Sequence, residues 1–417
     1  MQICEYSSWR GIWGLTGRSI KPNGQLDFSD PDTVMQLTKT LLKVDFGLEL
    51  ELPDDRLCPP VPNRHNYILW LKDLMDTTSY EEPGRRLSCL DIGTGASCIY
   101  PLLGCTQRQW YFVATDIDPK SLAYAKKNVQ RNDLENRIRI LPRKPTDALI
   151  PLDDLGAEAI DFLMTNPPFY ESEQEMVASA KLKSRPPNSA CTGAPVEMVC
   201  QGGEVAFVSR IIGESLKLRE RVQWYTSMLG KMSSLEAVVD LLRERKIENY
   251  AVTEFVQGSK TRRWAVAWSF GPMRPAQEVA RGMKALAWKR ILPSSVEYTM
   301  GDGPINDIGA FASKIDSTMQ ALELLSWEWD KQGLRGVGRA RENVWSRAWR
   351  RRKLREKENP TSGGAAESGD DETCGFGFSI MVTVGLEETK TVCRWVEGHE
   401  EVIFTSFCGF LKTQLGG

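Results

Sequence analysis

Histidine is nearly missing from this chain: 417 residues contain two, His65 and His399. None of the ten cysteines forms a CxxC pair. Zinc ribbons and fingers need closely spaced Cys and His ligands, so that class is excluded and no metal is expected. Several cysteines lie in apolar runs, which reads as buried free thiols in a reducing compartment. No uninterrupted apolar run approaches the ~20 residues of a spanning helix, so no membrane span is expected. The amino terminus lacks the basic-then-apolar layout of a secretory signal. A large net charge is missing too. At −2 the molecule is no polycation, and any nucleic-acid contact must come from local patches. What is present, 41% hydrophobic and 26% charged residues, is ordinary for a globular protein long enough for two domains.

One stretch organises the rest: Thr165-Asn166-Pro167-Pro168-Phe169-Tyr170. It follows the apolar run 160–164, which reads as a short buried strand. Two prolines cannot donate backbone hydrogen bonds, so the strand must stop there. The result is a rigid corner carrying one amide side chain and two aromatic rings. The Asn166 oxygen and a proline carbonyl can accept hydrogens from an exocyclic amine. A ring can stack on a base, an interaction of roughly 1–3 kcal/mol. Alone, the corner is as readily a plain strand-ending turn.

The upstream sequence shifts that balance. Asp30-Pro31 opens a helix with apolar Val34, Leu37, Leu41 and Leu42. Residues 46–62 read as an extended loop, and a second helix is predicted over Ile68–Met75. The strand at Leu87 ends in Asp91-Ile92-Gly93-Thr94-Gly95 and enters a helix-like run, Cys98–Leu103. Glycine lets the backbone turn sharply and approach a ligand closely. Two glycines are fewer than a full dinucleotide fingerprint and are weak evidence alone. A second strand, Trp110–Thr115, ends at Asp116, about 20 positions beyond the glycine turn, which suits a ribose diol. A helix over Pro119–Asn132, a strand over Arg137–Leu141 and a loop with Thr146 precede the organising strand. This alternation implies a parallel sheet with ligands at the strands' carboxyl ends. The glycine turn, Asp116, Thr146 and Asn166 all fall at such ends and should converge.

Beyond the corner, residues 171–203 have no period and include Lys181, Lys183 and Arg185. This basic loop is a flexible surface segment or a substrate grip. A helix (Glu204–Arg221), a strand (Val222–Leu229), a helix (Ser234–Lys246) and a hairpin (Tyr250–Gln257 with Arg263–Phe270) follow. The pattern resets near 271–277. Residues 278–417 read as a separate α+β module with an amphipathic helix at Ile315–Trp329 and a disordered linker at 359–374. Residues 339–357 hold nine Arg/Lys against two Glu, net +7, with Trp345 and Trp349 interleaved. The stretch is a phosphate-contacting patch with stacking aromatics, or a solvated helix face whose tryptophans turn to the core.

Together these stretches resemble the methyltransferase-like protein sixteen family of RNA adenine N6-methyltransferases and its bacterial ribosomal-RNA relatives. The resemblance lies in residues 30–34, 41–48, 61–68, 91–104, 124–129, 166–170, 224–231 and 263–270. It covers roughly 25–270. It implies an α/β fold, a class I S-adenosylmethionine-dependent methyltransferase (Rossmann-like) domain over 25–271, with residues 1–24 unassigned. The 278–417 module corresponds in layout to the family's accessory RNA-binding domain. Implied contacts to S-adenosyl-L-methionine are Arg64, Gly93, Ser97, Asp116, Thr146 and Asn166. Where the family has Glu at the ribose position, this chain has Asp116, one methylene shorter. Asn166, Pro167, Pro168 and Phe169 carry the catalytic corner by the same likeness. Tyr170, Lys181, Lys183 and Arg185 correspond to substrate-binding positions. The implied activity is formation of N6-methyladenosine in structured RNA, U6 small nuclear RNA or an mRNA hairpin, by a monomer in the nucleus, with the cytoplasm as a second compartment. Two other readings fit the corner: a protein-glutamine methyltransferase, and an RNA-binding effector whose pocket only senses the cofactor.

Overall fold

Asp30 starts the first helix, α1 (Pro31–Phe46): its side chain accepts from Thr33 N at 3.0 Å, and Pro31 fits the first turn. Gly47, at φ 68°, closes it in the left-handed region that glycine adopts freely. The computed structural model describes residues 26–176, 193–257, 261–282, 298–300, 307–358, 374–385 and 389–415. Residues 1–24, Lys181, Lys183, Arg185 and linker positions 359–373 lie outside the described residues. The second helix, α2, spans Val61–Thr77 rather than Ile68–Met75. Pro62 sits in its first turn, where a missing N–H costs nothing, so Arg64–Tyr67 are helical and Arg64 is turned inward.

Two compact units divide the chain. The first runs to Asp76 and from Glu81 to Gly271; the second takes Thr77–Tyr80 and the chain from Pro272 onward. The first unit is built on seven strands: β1 (Leu87–Ile92), β2 (Trp110–Asp116), β3 (Ile138–Pro142), β4 (Ile160–Thr165), β5 (Val222–Leu229), β6 (Asn249–Gln257) and β7 (Thr261–Ser269). Their order is β3-β2-β1-β4-β5-β7-β6. Strands β1 to β5 pair in parallel, and β7 enters antiparallel as the return arm of a hairpin. Helices α3 (Ile99–Gln107), α4 (Pro119–Arg131), α5 (Gly203–Leu218) and α6 (Met232–Glu244) connect them. This is the class I methyltransferase arrangement.

The order reverses between β1 and β4, which lie side by side. Ile92 is in register with Thr165, and the Thr165 hydroxyl donates to Ile92 O at 2.8 Å. The glycine turn and the Asn-Pro-Pro corner therefore leave the sheet next to each other. Under that edge, Trp110, Phe112 and Phe162 pack edge to face, the closest centroids 5.1 Å apart. Such pairs add about 0.5–1.5 kcal/mol beyond burial. Gly104 lets α3 close on this cluster; a Cβ there would lie 2.7 Å from the Phe112 ring.

The second unit is an antiparallel sheet of β8 (Tyr298–Met300), β9 (Ser326–Asp330), β10 (Arg335–Ala340), β11 (Phe376–Val384) and β12 (Thr389–Glu397), ordered β9-β10-β11-β12-β8. Helices α7 (Ile308–Gln320), α8 (Arg347–Glu358) and α9 (Glu401–Leu415) complete it. Within it the Tyr80 hydroxyl donates to Glu397 at 2.9 Å. The helix expected over Ile315–Trp329 is corrected on both sides. Asp307 caps α7, and the chain turns before Ser326, where Trp327 and Trp329 alternate with polar residues as a strand requires. The tryptophans of 339–357 settle the alternative stated for them: Trp345 is 4% exposed, donates to Ser406 and belongs to the apolar core, against which Trp349 packs. Eight cysteines fall among the described residues, none of them in a disulfide; six are buried.

Candidate active site

At the switch point between β1 and β4 lies a cavity of about 290 Å³. Its floor is the glycine turn. Gly93 and Gly95 have φ 75° and 64°, and a Cβ on Gly93 would meet nothing within 4 Å except the open space before it. Gly95 N donates to Asp116 Oδ2 at 2.8 Å, and Asp118 N donates to Asp116 Oδ1 at 2.9 Å. The end of β2 is thereby tied to the end of β1. Burial pushes the Asp116 carboxyl above its ordinary range, against these two hydrogen bonds.

Arg64 reaches the cavity from α2 at 5% exposure. One of its terminal nitrogens donates to the Tyr100 hydroxyl at 2.8 Å and lies 3.3 Å from the Met228 sulfur. Its Nε has no partner among the described residues. The Asn166 amide oxygen is likewise buried without one. These two unspent polar groups, brought to the cavity by different elements, match polar ligands, since each would otherwise cost about 1–3 kcal/mol. Beneath them Asp91 is fully buried, and burial raises its pKa to about 7 against the hydrogen bond of the Thr94 hydroxyl.

The Asn-Pro-Pro corner forms the opposite wall: Asn166, Pro167 and Pro168 line the cavity. Tyr170 N donates to Met198 O, and Cys200 N donates to Tyr170 O, both at 3.0 Å, so a strand-like bridge fixes the corner's exit. Phe169 and Tyr170 are half-buried and stand outside the wall. The Phe169 ring lies against Gly230, where a Cβ would sit 2.7 Å from it, and under the Arg263 guanidinium, 5.5 Å from the ring centre. Glu204, 2% exposed, holds that turn by accepting from Gly230 N at 2.7 Å and Lys231 N at 3.1 Å. Burial, together with Arg64, lowers the Arg263 pKa.

Of the residues expected from sequence, Arg64, Gly93, Ser97, Asp116 and Asn166 meet on this cavity. Thr146 is exposed and its neighbours Pro145 and Asp147 line the wall instead. Sequence reasoning passed over Tyr100, Arg143, Glu197 and Arg210, all on the wall. Tyr100 lay in a recognised helix and carried a signal, its spacing from the glycine turn. Glu197 lay in a stretch without period and carried none.

The family described as RNA methyltransferase matches residues 18–272. The U6 small nuclear RNA (adenine-(43)-N(6))-methyltransferase of Schizosaccharomyces pombe is 38% identical over 405 residues, 97% of this chain and 98% of that one. The human METTL16 catalytic domain, solved with a MAT2A 3'UTR hairpin, is 45% identical with TM-score 0.54, covering 60% of this chain and 85% of that one. The human METTL16 amino-terminal domain, solved with SAH, is 41% identical with TM-score 0.50, covering 60% and 87%. The unspent Arg64 Nε, the glycine floor and Asp116 fit the polar and ribose parts of S-adenosylmethionine. The chain belongs to the RNA N6-adenosine methyltransferase family, whose methyl donor is S-adenosylmethionine.

Proposed function

We propose that this enzyme methylates N6 of an adenine in a structured RNA of the U6 small nuclear RNA type, and that it acts in the nucleus. The observation that carries the reading is the buried, unpartnered Asn166 oxygen on a proline-fixed corner beside the cofactor cavity. S-adenosylmethionine supplies a methyl group made electrophilic by its sulfonium. Arg64, Gly93, Ser97 and Asp116 hold it, with the adjoining Pro145–Asp147 turn. The target adenine must leave its stack to reach the corner. Asn166 Oδ1 and the Pro167 carbonyl accept its two amine hydrogens, which draws the nitrogen lone pair out of the ring and towards the methyl. Pro168 and the rings of Phe169 and Tyr170 set the base plane. The new N–C bond forms as the S–C bond breaks, and the amine proton passes to water. Positioning carries the rate. Lys181, Lys183 and Arg185 are assigned to the RNA phosphates. The test is labelled methyl transfer to a U6-type hairpin against a glutamine-bearing peptide: label in RNA alone is expected, and label in peptide alone would transfer the corner to the glutamine reading.

Two further results are expected. Gly230→Ala drives a Cβ into the Phe169 ring, and a base displaced by about 1 Å loses roughly 10²-fold in rate. Binding of S-adenosylhomocysteine, measured by calorimetry, should stay within about 3-fold because Gly230 is not on the cavity wall. The second unit is assigned to RNA binding through α8. Arg347, Arg350, Arg351 and Arg355 are exposed there and enter no ion pair among the described residues. Replacing all four by Gln should weaken RNA binding and flatten its log–log salt dependence by about 0.9 for each phosphate no longer neutralised. Fluorescence anisotropy between about 50 and 200 mM salt, the range over which such ion pairing shows, measures both.

A further inference from the structure

We infer that Glu197 is a second ribose contact: its free carboxylate oxygen shares the cofactor's diol with Asp116. The inference rests on the placement of the ribose at Asp116. Glu197 belongs to the cavity wall, although the segment that carries it, between the basic loop and α5, has no hydrophobic period.

Its two oxygens have different work. Oε2 accepts from Leu57 N at 2.9 Å and from Ala194 N at 3.0 Å. This staples the loop ahead of α2 to the segment after the basic loop, and so closes one side of the cavity. Oε1 accepts no hydrogen bond from the described residues. It faces the glycine floor: a Cβ on Gly95 would lie 3.6 Å from it. Gly95 is the same residue whose N–H is held by Asp116 Oδ2. Two carboxylates thus reach one glycine, Asp116 at its N–H and Glu197 Oε1 beside the place where a side chain would start.

Such a pair repels. Burial raises the Glu197 carboxyl and the charge of Asp116 adds to the rise, with Arg56 opposing. A ligand with two neighbouring O–H donors relieves that cost by giving each acid one proton to accept. The ribose of the cofactor offers such a diol; adenine and the methionyl carboxylate do not. The geometry also accounts for the short acid at 116. Asp116 is already engaged by two backbone N–H groups. It has one methylene less than the Glu expected at this position, and the acceptor that completes the diol site comes from across the cavity.

The test is a double-mutant cycle on binding, read by calorimetry with S-adenosylhomocysteine and its 2'-deoxy and 3'-deoxy analogues. Wild type, E197Q and D116N are compared, and E197D replaces E197Q if the latter melts at lower temperature than wild type. In wild type, removing a hydroxyl held by a carboxylate should weaken binding roughly 10- to 100-fold. In E197Q the penalty for one of the two hydroxyls should fall below about 3-fold, while the other persists; in D116N the pattern should reverse. If E197Q weakens all three ligands by one common factor, Glu197 is only a staple and the inference is overturned. If D116N keeps both hydroxyl penalties, the ribose is not at Asp116, and that earlier placement fails rather than the role of Glu197 alone.

Discussion

Asn166→Ala should lower the single-turnover methylation rate by at least ~10²-fold, the scale seen when one oriented polar group is removed from a reacting centre. Asn166 closes β4, its oxygen is buried, and no described residue donates to it. Truncation leaves the adenine amine with one fixed acceptor, the Pro167 carbonyl, and lets it relax into conjugation with the ring. Asn166 also touches the cofactor cavity, but Arg64, Asp116 and the glycine floor remain. Binding of S-adenosylhomocysteine should therefore weaken by less than ~10-fold. Asn166→Asp keeps an acceptor oxygen at the same place and should retain more activity than Asn166→Ala. If both substitutions cost the same, the acceptor role is wrong.

The second large effect is on stability. Asp91 lies fully buried under the glycine turn, and burial lifts its pKa from 3.8 to about 7, the Thr94 hydroxyl and Arg64 opposing the rise and Asp116 adding to it. Below pH ~4 the carboxyl is protonated in folded and unfolded chains alike, so it carries no penalty. As pH rises, the unfolded chain ionises first and the folded state is penalised progressively, until the carboxyl ionises in the folded state near pH 7. A shift of about three pH units corresponds to about 4 kcal/mol. Asp91→Asn removes the titration. The stability of Asp91→Asn relative to wild type should therefore climb between pH ~4 and ~7 and level off above. Urea midpoints at about pH 5, 6, 7 and 8 measure this. A difference that does not change with pH would mean that Asp91 is ionised throughout.

Much of the first unit is legible in the sequence because its local signals and its topology agree. Each strand of the parallel core is a short apolar run ending at a glycine, an acid or a proline. Once the alternation is recognised, the switch point between β1 and β4 brings those ends together. The failures have physical causes. The start of α2 was missed because Pro59, Pro60 and Pro62 look like a single break, although Pro62 fits a first helical turn. The run from Ile315 to Trp329 has enough apolar residues for a helix, but beyond Gln320 its period is that of a strand. Trp345 and Trp349 lie among arginines, and only the packing around Phe376 and Phe407 shows that they face inward. Glu197 reaches the cavity through two hydrogen bonds to residues 140 and 3 positions away, and no local period encodes such a contact.

The most direct test of the account is the identity of the methylated atom. The enzyme is given labelled S-adenosylmethionine and a U6-type hairpin, and the product RNA is digested to nucleosides. The account predicts label in N6-methyladenosine, absent when the target adenosine is replaced by purine riboside, which lacks the amine. Label in another nucleoside, or label that persists on the purine riboside hairpin, would contradict the role given to Asn166 and its corner.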